Sequence, residues 1–237
     1  EKIRIGDRRN TMIDSALIIL CVLGAIIQAT FIMVEHKEKY VPAVCLKGTA
    51  SMVFVLIGAI AFKAATNMSF AKLVLIGLIF GALGDILLNL RFVFEKAGQK
   101  IFLIGIVAFL TGHILYLAAL IPQCESLVLC IAIGALIAAA ILAYIFKTME
   151  VKKAFKIFGV FYLGAVIIMT SIAIGNLIAA PAVATWLYAI GAVLFTVSDI
   201  VLIFNTFSGT TKFSLRITNL SLYYVGQLLI ATSLFFI

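Results

Sequence analysis

Histidine and charge are both scarce in this sequence, and each shortage narrows the chemistry. Its 237 residues hold two histidines, His36 and His113, with ten acidic and eighteen basic side chains. His36 falls in a polar gap, which argues against a zinc site built on several imidazoles. No GxSxG elbow, Walker A loop or HExxH helix is present, so a serine hydrolase, P-loop enzyme or zincin has no support. The four cysteines (Cys21, Cys45, Cys124 and Cys130) show no CxxC spacing. Cys21, Cys45 and Cys130 lie in apolar runs, where a thiol acts as a small hydrophobic filler. No metal and no cofactor is expected.

Charged residues make up 12% of the chain, about half the usual share of a globular protein, which excludes an ordinary soluble domain. In their place stands hydrocarbon: 65% of residues are hydrophobic and the mean hydropathy is +1.25. A bilayer core about 30 Å thick needs about 20 apolar residues per helix. Eight segments reach that length, at 12–34, 41–62, 71–90, 101–121, 126–146, 154–177, 182–204 and 214–237. The short gaps between them predict antiparallel neighbours in one all-α bundle of eight transmembrane helices, a single transmembrane domain over 1–237. The first run is long and leads straight into the second, so it reads as a retained helix and not a signal peptide.

The net charge of +8 is uneven. The first, third, fifth and seventh gaps share one face and carry Lys37, Lys39, Arg91, Lys96, Lys100, Lys147, Lys152, Lys153, Lys156, Lys212 and Arg216. The positive-inside rule makes this face cytoplasmic and both termini external, whereas Lys2, Arg4, Arg8 and Arg9 in the N-terminal tail favour the reverse. Scattered basic loops without a recognition motif suit anionic lipid headgroups, and no nucleic-acid partner is expected.

Against this background two carboxylates stand out, Asp85 in the third run and Asp199 in the seventh. A charge near the middle of a membrane helix costs roughly 2.5–3.5 kcal/mol on insertion scales, so it faces a bundle interior or a wet cavity. At about 1.5 Å rise per residue, Asp85, Asp199, Lys47, His113, Tyr223, Tyr224 and Gln227 all fall in the half beside the basic loops or at its midplane. Helical spacing adds partners on shared faces: Asn89 with Asp85, Tyr116 with His113, Gln227 with Tyr223 and Ser198 beside Asp199. Bland roles exist for each. His113 could be a packed core residue, the tyrosines interfacial aromatics, and Lys47 could snorkel to the headgroups. Gly77, Gly81 and Gly84 form a small-residue seam, which marks packing and not chemistry. Two acids with one base leave excess negative charge, so one carboxyl is expected to hold its proton, as acid–base chemistry needs.

The ordered motifs LKGTAS, FGALGDILLNL, GIVAFLTGHILYLAAL, GAVLFTVSDIVLIFNTF and LYYVGQLLIATS resemble the YhhN family of integral membrane proteins, whose animal members are lysoplasmalogenases. Gly48 departs from that pattern, in which proline commonly follows the lysine. The resemblance implies hydrolysis of the vinyl ether bond of lysoplasmalogen to a fatty aldehyde and a glycerophospho-ethanolamine or -choline, in a bacterial cytoplasmic membrane. The expected partners are this lysophospholipid and the bilayer. Vinyl ether cleavage begins with protonation of carbon and passes through an oxocarbenium ion. Two carboxyl groups, Asp85 and Asp199, suit it as they suit glycosidases. Lys47, Asn89, His113, Tyr116, Ser198, Tyr223, Tyr224 and Gln227 would bind or orient substrate. The alternative is a proton-coupled transporter of a lipid or small amphiphile, with the acids as relays. A non-enzymatic scaffold would have no use for acids gathered at one depth.

Overall fold

The structure, a computed structural model, describes residues 2–150, 153–207 and 209–237, with side chains placed from Ser15 onward apart from 151–155 and 208. The side chains of the N-terminal charges Lys2, Arg4, Arg8 and Arg9, and those of Lys152 and Lys153, lie outside the described residues. Among the described residues there are eight α-helices, all long and apolar enough to cross a membrane, and no strands. They are α1 (Lys2–His36), α2 (Tyr40–Phe62), α3 (Met68–Leu90), α4 (Gly98–Leu120), α5 (Leu127–Thr148), α6 (Lys153–Ala179), α7 (Val183–Phe207) and α8 (Phe213–Ser233).

Most boundaries fall within about three residues of the apolar runs, and the differences have local causes. Helix α1 starts ten residues before the first run, because hydropathy marks the hydrocarbon while the backbone continues helical through lysine and arginine, good helix formers. Helix α3 begins early because Asn67 caps it, its side-chain oxygen accepting the Phe70 N–H at 3.1 Å. Helix α8 ends in a 3₁₀ turn, Leu234–Phe236, and the adjoining Ile237 carbonyl accepts the Thr66 N–H at 2.7 Å. Helix α2 runs unbroken through Gly48.

Consecutive helices pack as antiparallel neighbours, with two departures from simple succession. Helix α4 packs directly on α6, leaving α5 outside against α6, and α8 returns to pack on α2 and α3 as well as α7. Helix α8 is therefore central. It is the least apolar of the eight and the most buried, whereas α1 and α5 are the most apolar and the least buried. That ordering is the membrane rule: lipid accepts Val128, Leu136 and Ile178 on the outside, while polar side chains need the interior.

Two backbone-to-backbone crossings set the spacing. A Cβ on Gly191 would sit 2.8 Å from the Gly226 carbonyl oxygen and one on Gly226 2.8 Å from that of Gly191, which locks α7 against α8. Gly77 and Gly112 lock α3 against α4 in the same way, each excluding a Cβ near the other's carbonyl at 3.0–3.1 Å. The rest of the seam on α3 is also filled: the Gln227 amide seats on Gly81 and the Phe109 ring on Gly84. Gly226→Ala should therefore force α7 and α8 apart and cost about 1–3 kcal/mol, seen as a lowered thermal midpoint in detergent. Gly164→Ala, whose Cβ meets nothing within 4 Å, should be neutral or stabilising by up to about 1 kcal/mol.

Candidate functional site

The polar centre begins with Lys47. Its ammonium is 1% exposed, so it does not snorkel; it is turned inward and lies 3.4 Å from Asp85 Oδ1. Asp85 Oδ2 accepts hydrogen bonds from the Ser51 hydroxyl at 2.5 Å and the Tyr223 hydroxyl at 2.8 Å. Ser51 is placed for this by helical spacing, one turn after Lys47 on α2. The Lys47 ammonium also donates to Gln28 Oε1 at 3.5 Å and sits 4.6 Å from the Tyr223 ring centre and 5.4 Å from that of Phe31. Side chains from α1, α2, α3 and α8 thus enclose one ion pair whose polar valences are nearly filled. Such filling offsets much of the cost of burying a charge pair.

A second string of bonds leads away from it. Gln227 Nε2 donates to the Tyr223 hydroxyl oxygen at 3.3 Å, and Gln227 Oε1 accepts from the Tyr116 hydroxyl at 3.1 Å. Asp199 is built differently. Its Oδ2 accepts from the Tyr162 hydroxyl at 2.8 Å, and no cation pairs with it among the described residues. The two carboxyl groups are equally buried, each 4% exposed, but one has a countercharge and two hydroxyl donors while the other has a phenol.

Both aspartates line one cavity of about 120 Å³. Its walls also include Lys47, Asn89, Leu88, Phe102, Ile106, Phe109, Tyr162, Leu202, Ile203, Asn219 and Tyr223, and Arg91 and Arg216 stand at the loop end. The aspartates lie at its floor, where Phe195 meets Tyr223 at 5.1 Å and Phe109 at 6.5 Å between ring centres. The cavity therefore reaches from the aspartates toward the basic loops, the direction expected from the sequence.

The remaining expected residues divide. Asn89 lines the cavity; its Nδ2 donates to the Asp85 carbonyl at 2.9 Å, and its buried Oδ1 has no hydrogen-bond partner. His113 sits behind the wall. Its Nδ1 bonds the Phe109 carbonyl at 2.8 Å, Nε2 is buried without a partner, and its ring packs edge-on against Phe195 at 4.7 Å and Tyr162 at 5.5 Å. Tyr116 and Gln227 reach Asp85 only through Tyr223. Two others turn elsewhere. Tyr224 donates to the Ala50 carbonyl at 3.2 Å, on the α2 side of α8. Ser198 donates to the Asn219 carbonyl at 2.9 Å while Asn219 Nδ2 donates back to the Ser198 carbonyl at 2.9 Å, a bracket between α7 and α8. That bracket fixes the register of Asp199 against Tyr223, one turn beyond Asn219; Asn219 reaches the cavity wall and Ser198 does not.

Tyr162, Ser51 and Gln28 carry no prior expectation. Ser51 was discoverable as the polar residue four after Lys47. Tyr162 shares the depth of the other polar groups, but a lone tyrosine in FGVFYLG has no polar neighbour at helical spacing to mark it.

Eight membrane-crossing helices around a buried acid pair define a polytopic integral membrane protein with a polar site inside the bundle. The family model described as "YhhN family" matches residues 45–234, and the chain belongs to the YhhN family. That span contains every residue of the site except Gln28 and the other contributions of α1. No curated protein and no solved structure matches the chain.

The Lys47–Asp85 pair makes a thermodynamic prediction. Lys47→Met leaves a buried carboxylate without its cation and should cost about 3–5 kcal/mol. The double variant Lys47→Met, Asp85→Asn should be less destabilised than the sum of its single variants by at least about 1 kcal/mol. Thermal unfolding of the four proteins in one detergent measures the coupling; strict additivity would mean that the pair is not an energetic unit.

Proposed function

We propose that this protein hydrolyses the vinyl ether bond of a lysoplasmalogen, with Asp199 as the acid and Asp85 as the base. The observation that carries the reading is the unlike surroundings of two carboxyl groups on one cavity. Asp85, held by an ammonium and two hydroxyl donors, is equipped to be a carboxylate. Asp199, buried with one phenol and no cation, is equipped to carry a proton, since an unpaired carboxylate in such a place is costly.

The chemistry then closes without a cofactor. The Asp199 carboxyl gives its proton to the outer carbon of the vinyl ether; the π electrons form the new C–H bond and leave an oxocarbenium ion. The Asp85 carboxylate stabilises this cation and takes a proton from water as the water oxygen bonds the carbon next to the ether oxygen. The product is a hemiacetal. Its hydroxyl proton returns to Asp199 while the C–O bond to glycerol breaks and the departing oxygen takes the proton held by Asp85. Fatty aldehyde and glycerophospholipid head leave, and both carboxyl groups regain their starting states. Glycosidases divide the labour between two carboxyl groups in the same way.

The surroundings support lipid as the substrate class. The cavity wall is mainly aliphatic and aromatic, and its mouth is cationic, as a phosphate-bearing lipid requires. At about 120 Å³ it is too small for a whole alkenyl chain, so the chain must extend between helices. Gly159 on α6, across from Phe102 and Ile106 on α4, borders the cavity with nothing within 4 Å of its missing Cβ. That is where we place the tail, running from the cavity into the lipid of a bacterial cytoplasmic membrane. A proton-coupled transporter would need a second opening below the aspartates, where packed aromatic rings stand instead.

Purified protein should release aldehyde from lysoplasmalogen and none from the saturated ether analogue. Asp199→Asn should lower turnover by about 10²–10⁴ with the thermal midpoint near wild type. Asp85→Asn should be as inactive but also less stable, because it strands Lys47. Tyr162→Phe should lower turnover less than Asp199→Asn. Either Asn variant retaining more than about a tenth of wild-type turnover would remove that aspartate from the mechanism. Gly159→Leu should fold normally and raise KM for long-chain substrate at least several-fold.

A further inference from the structure

The cavity mouth holds two guanidinium groups in opposite situations. Arg216 is committed: its Nε donates to Glu35 Oε2 at 3.0 Å and a second nitrogen of the fork bonds the other carboxylate oxygen. Arg91, the first residue after α3, has no carboxylate partner among the described residues. Its guanidinium carbon lies 4.5 Å from the ring centre of Phe92 and 4.3 Å from that of Phe102, and Phe92 is itself stacked on Tyr40 at 5.2 Å. Aromatic rings cover the faces of a guanidinium and leave its in-plane N–H donors free. One of those donors, Nε, is buried and has no acceptor. Burial and the nearby Arg216 charge push Arg91 down to about 10 from 12.5, with the Glu35 charge opposing them, so it remains a cation at neutral pH. The backbone beneath it is also fixed: a Cβ on Gly98 would lie 2.9 Å from the Arg91 carbonyl oxygen, so the turn closes on Arg91 only with glycine there.

A half-buried, oriented, unpaired arginine that lines a cavity is built to receive a planar array of anionic oxygens. We propose that Arg91 binds the phosphate of the lysophospholipid headgroup by two N–H donors and so sets the depth at which the lipid's ether bond meets Asp85 and Asp199. This rests on the hydrolase reading for the identity of the ligand and not for the existence of the site. The lengths agree. Arg91 lies six residues beyond Asp85, about 9 Å along a helix axis. From vinyl carbon to phosphorus a lysoplasmalogen has six single bonds, as many as two extended residues, roughly 7 Å. A phosphate on Arg91 thus brings the vinyl ether down to the aspartates.

The test is a binding measurement that needs no turnover. Three probes compete for the purified protein in a non-ionic detergent: a saturated 1-O-alkyl lysophospholipid, the matching 1-O-alkylglycerol without phosphate, and inorganic phosphate. Wild type should prefer the phosphate-bearing lipid over the alkylglycerol by about 10–100-fold, the value of a charge-assisted pair of hydrogen bonds. Arg91→Gln should bring the two lipids to within about three-fold. Arg91→Lys keeps a point charge without the fork and should lose most of the preference, which decides the matter if the Gln variant does not fold. Lys96→Gln, an exposed charge in the same loop, should keep the full preference. The proposal is overturned if Arg91→Gln or Arg91→Lys retains the wild-type preference, if Lys96→Gln loses as much as Arg91→Gln, or if inorganic phosphate competes as well as the lipid. Preference that depends on Arg91 in a protein that releases no aldehyde from lysoplasmalogen would uphold the site and reject the hydrolase.

Discussion

A single ion pair, Lys47 with Asp85, constrains most of this molecule. Both charges are almost wholly buried, so most of their partners must come from the protein itself. Serving the pair requires an amide from α1, a hydroxyl from α2 and a phenol from α8 at hydrogen-bonding distance, and that requirement fixes how α8 inserts between its neighbours. The polarity of α8, lowest in apolar character and deepest in burial, follows from its role as the supplier of Tyr223 and Gln227. Glycine pairs at the α7–α8 and α3–α4 crossings then bring these polar helices close enough for short bonds.

The same physics explains why the two aspartates differ. Charge pairing absorbs Asp85 into a network that is nearly saturated, which is good for stability and suits a group that remains ionised. Asp199 lies across the cavity on α7, where Tyr162 alone among the described residues is seen to hydrogen-bond its carboxyl group. In the proposed hydrolysis this asymmetry divides the acid and base roles, and it comes from the neighbours and not from the aspartates themselves. His113, the residue a chemist would first suspect, is enclosed by aromatic edges, and its ring stands behind Tyr162 instead of in the cavity.

Legibility of the site followed the range of the interaction involved. Depth was readable because rise per residue is a property of the helix alone, and it collected Lys47, Asp85, Asp199, Tyr223 and Gln227 into one layer before any packing was known. Helical phase correctly placed Asn89 beside Asp85 and Gln227 beside Tyr223. Phase misplaced Ser198, and depth alone did not exclude Tyr224; each is adjacent in sequence to a cavity residue and for that reason turned some 100° away from it on the helix. The aromatic clamp around Arg91 was invisible, since Phe102 reaches it from the following helix.

The amino-acid sequence by itself determined that there are eight helices, that they span a membrane, and that the polar groups crowd toward the basic loops. Hydrocarbon thickness and helix rise are universal, and no knowledge of neighbours is needed to apply them. Only the tertiary structure decided that Lys47 neutralises Asp85 and not Asp199, that Tyr162 serves Asp199, and that α4 passes α5 to pack on α6. Those outcomes depend on the rotation of each helix about its own axis and on which backbones approach closely. Both are set by side chains meeting across helices far apart in the chain, whose sequence separation carries no record of the contact.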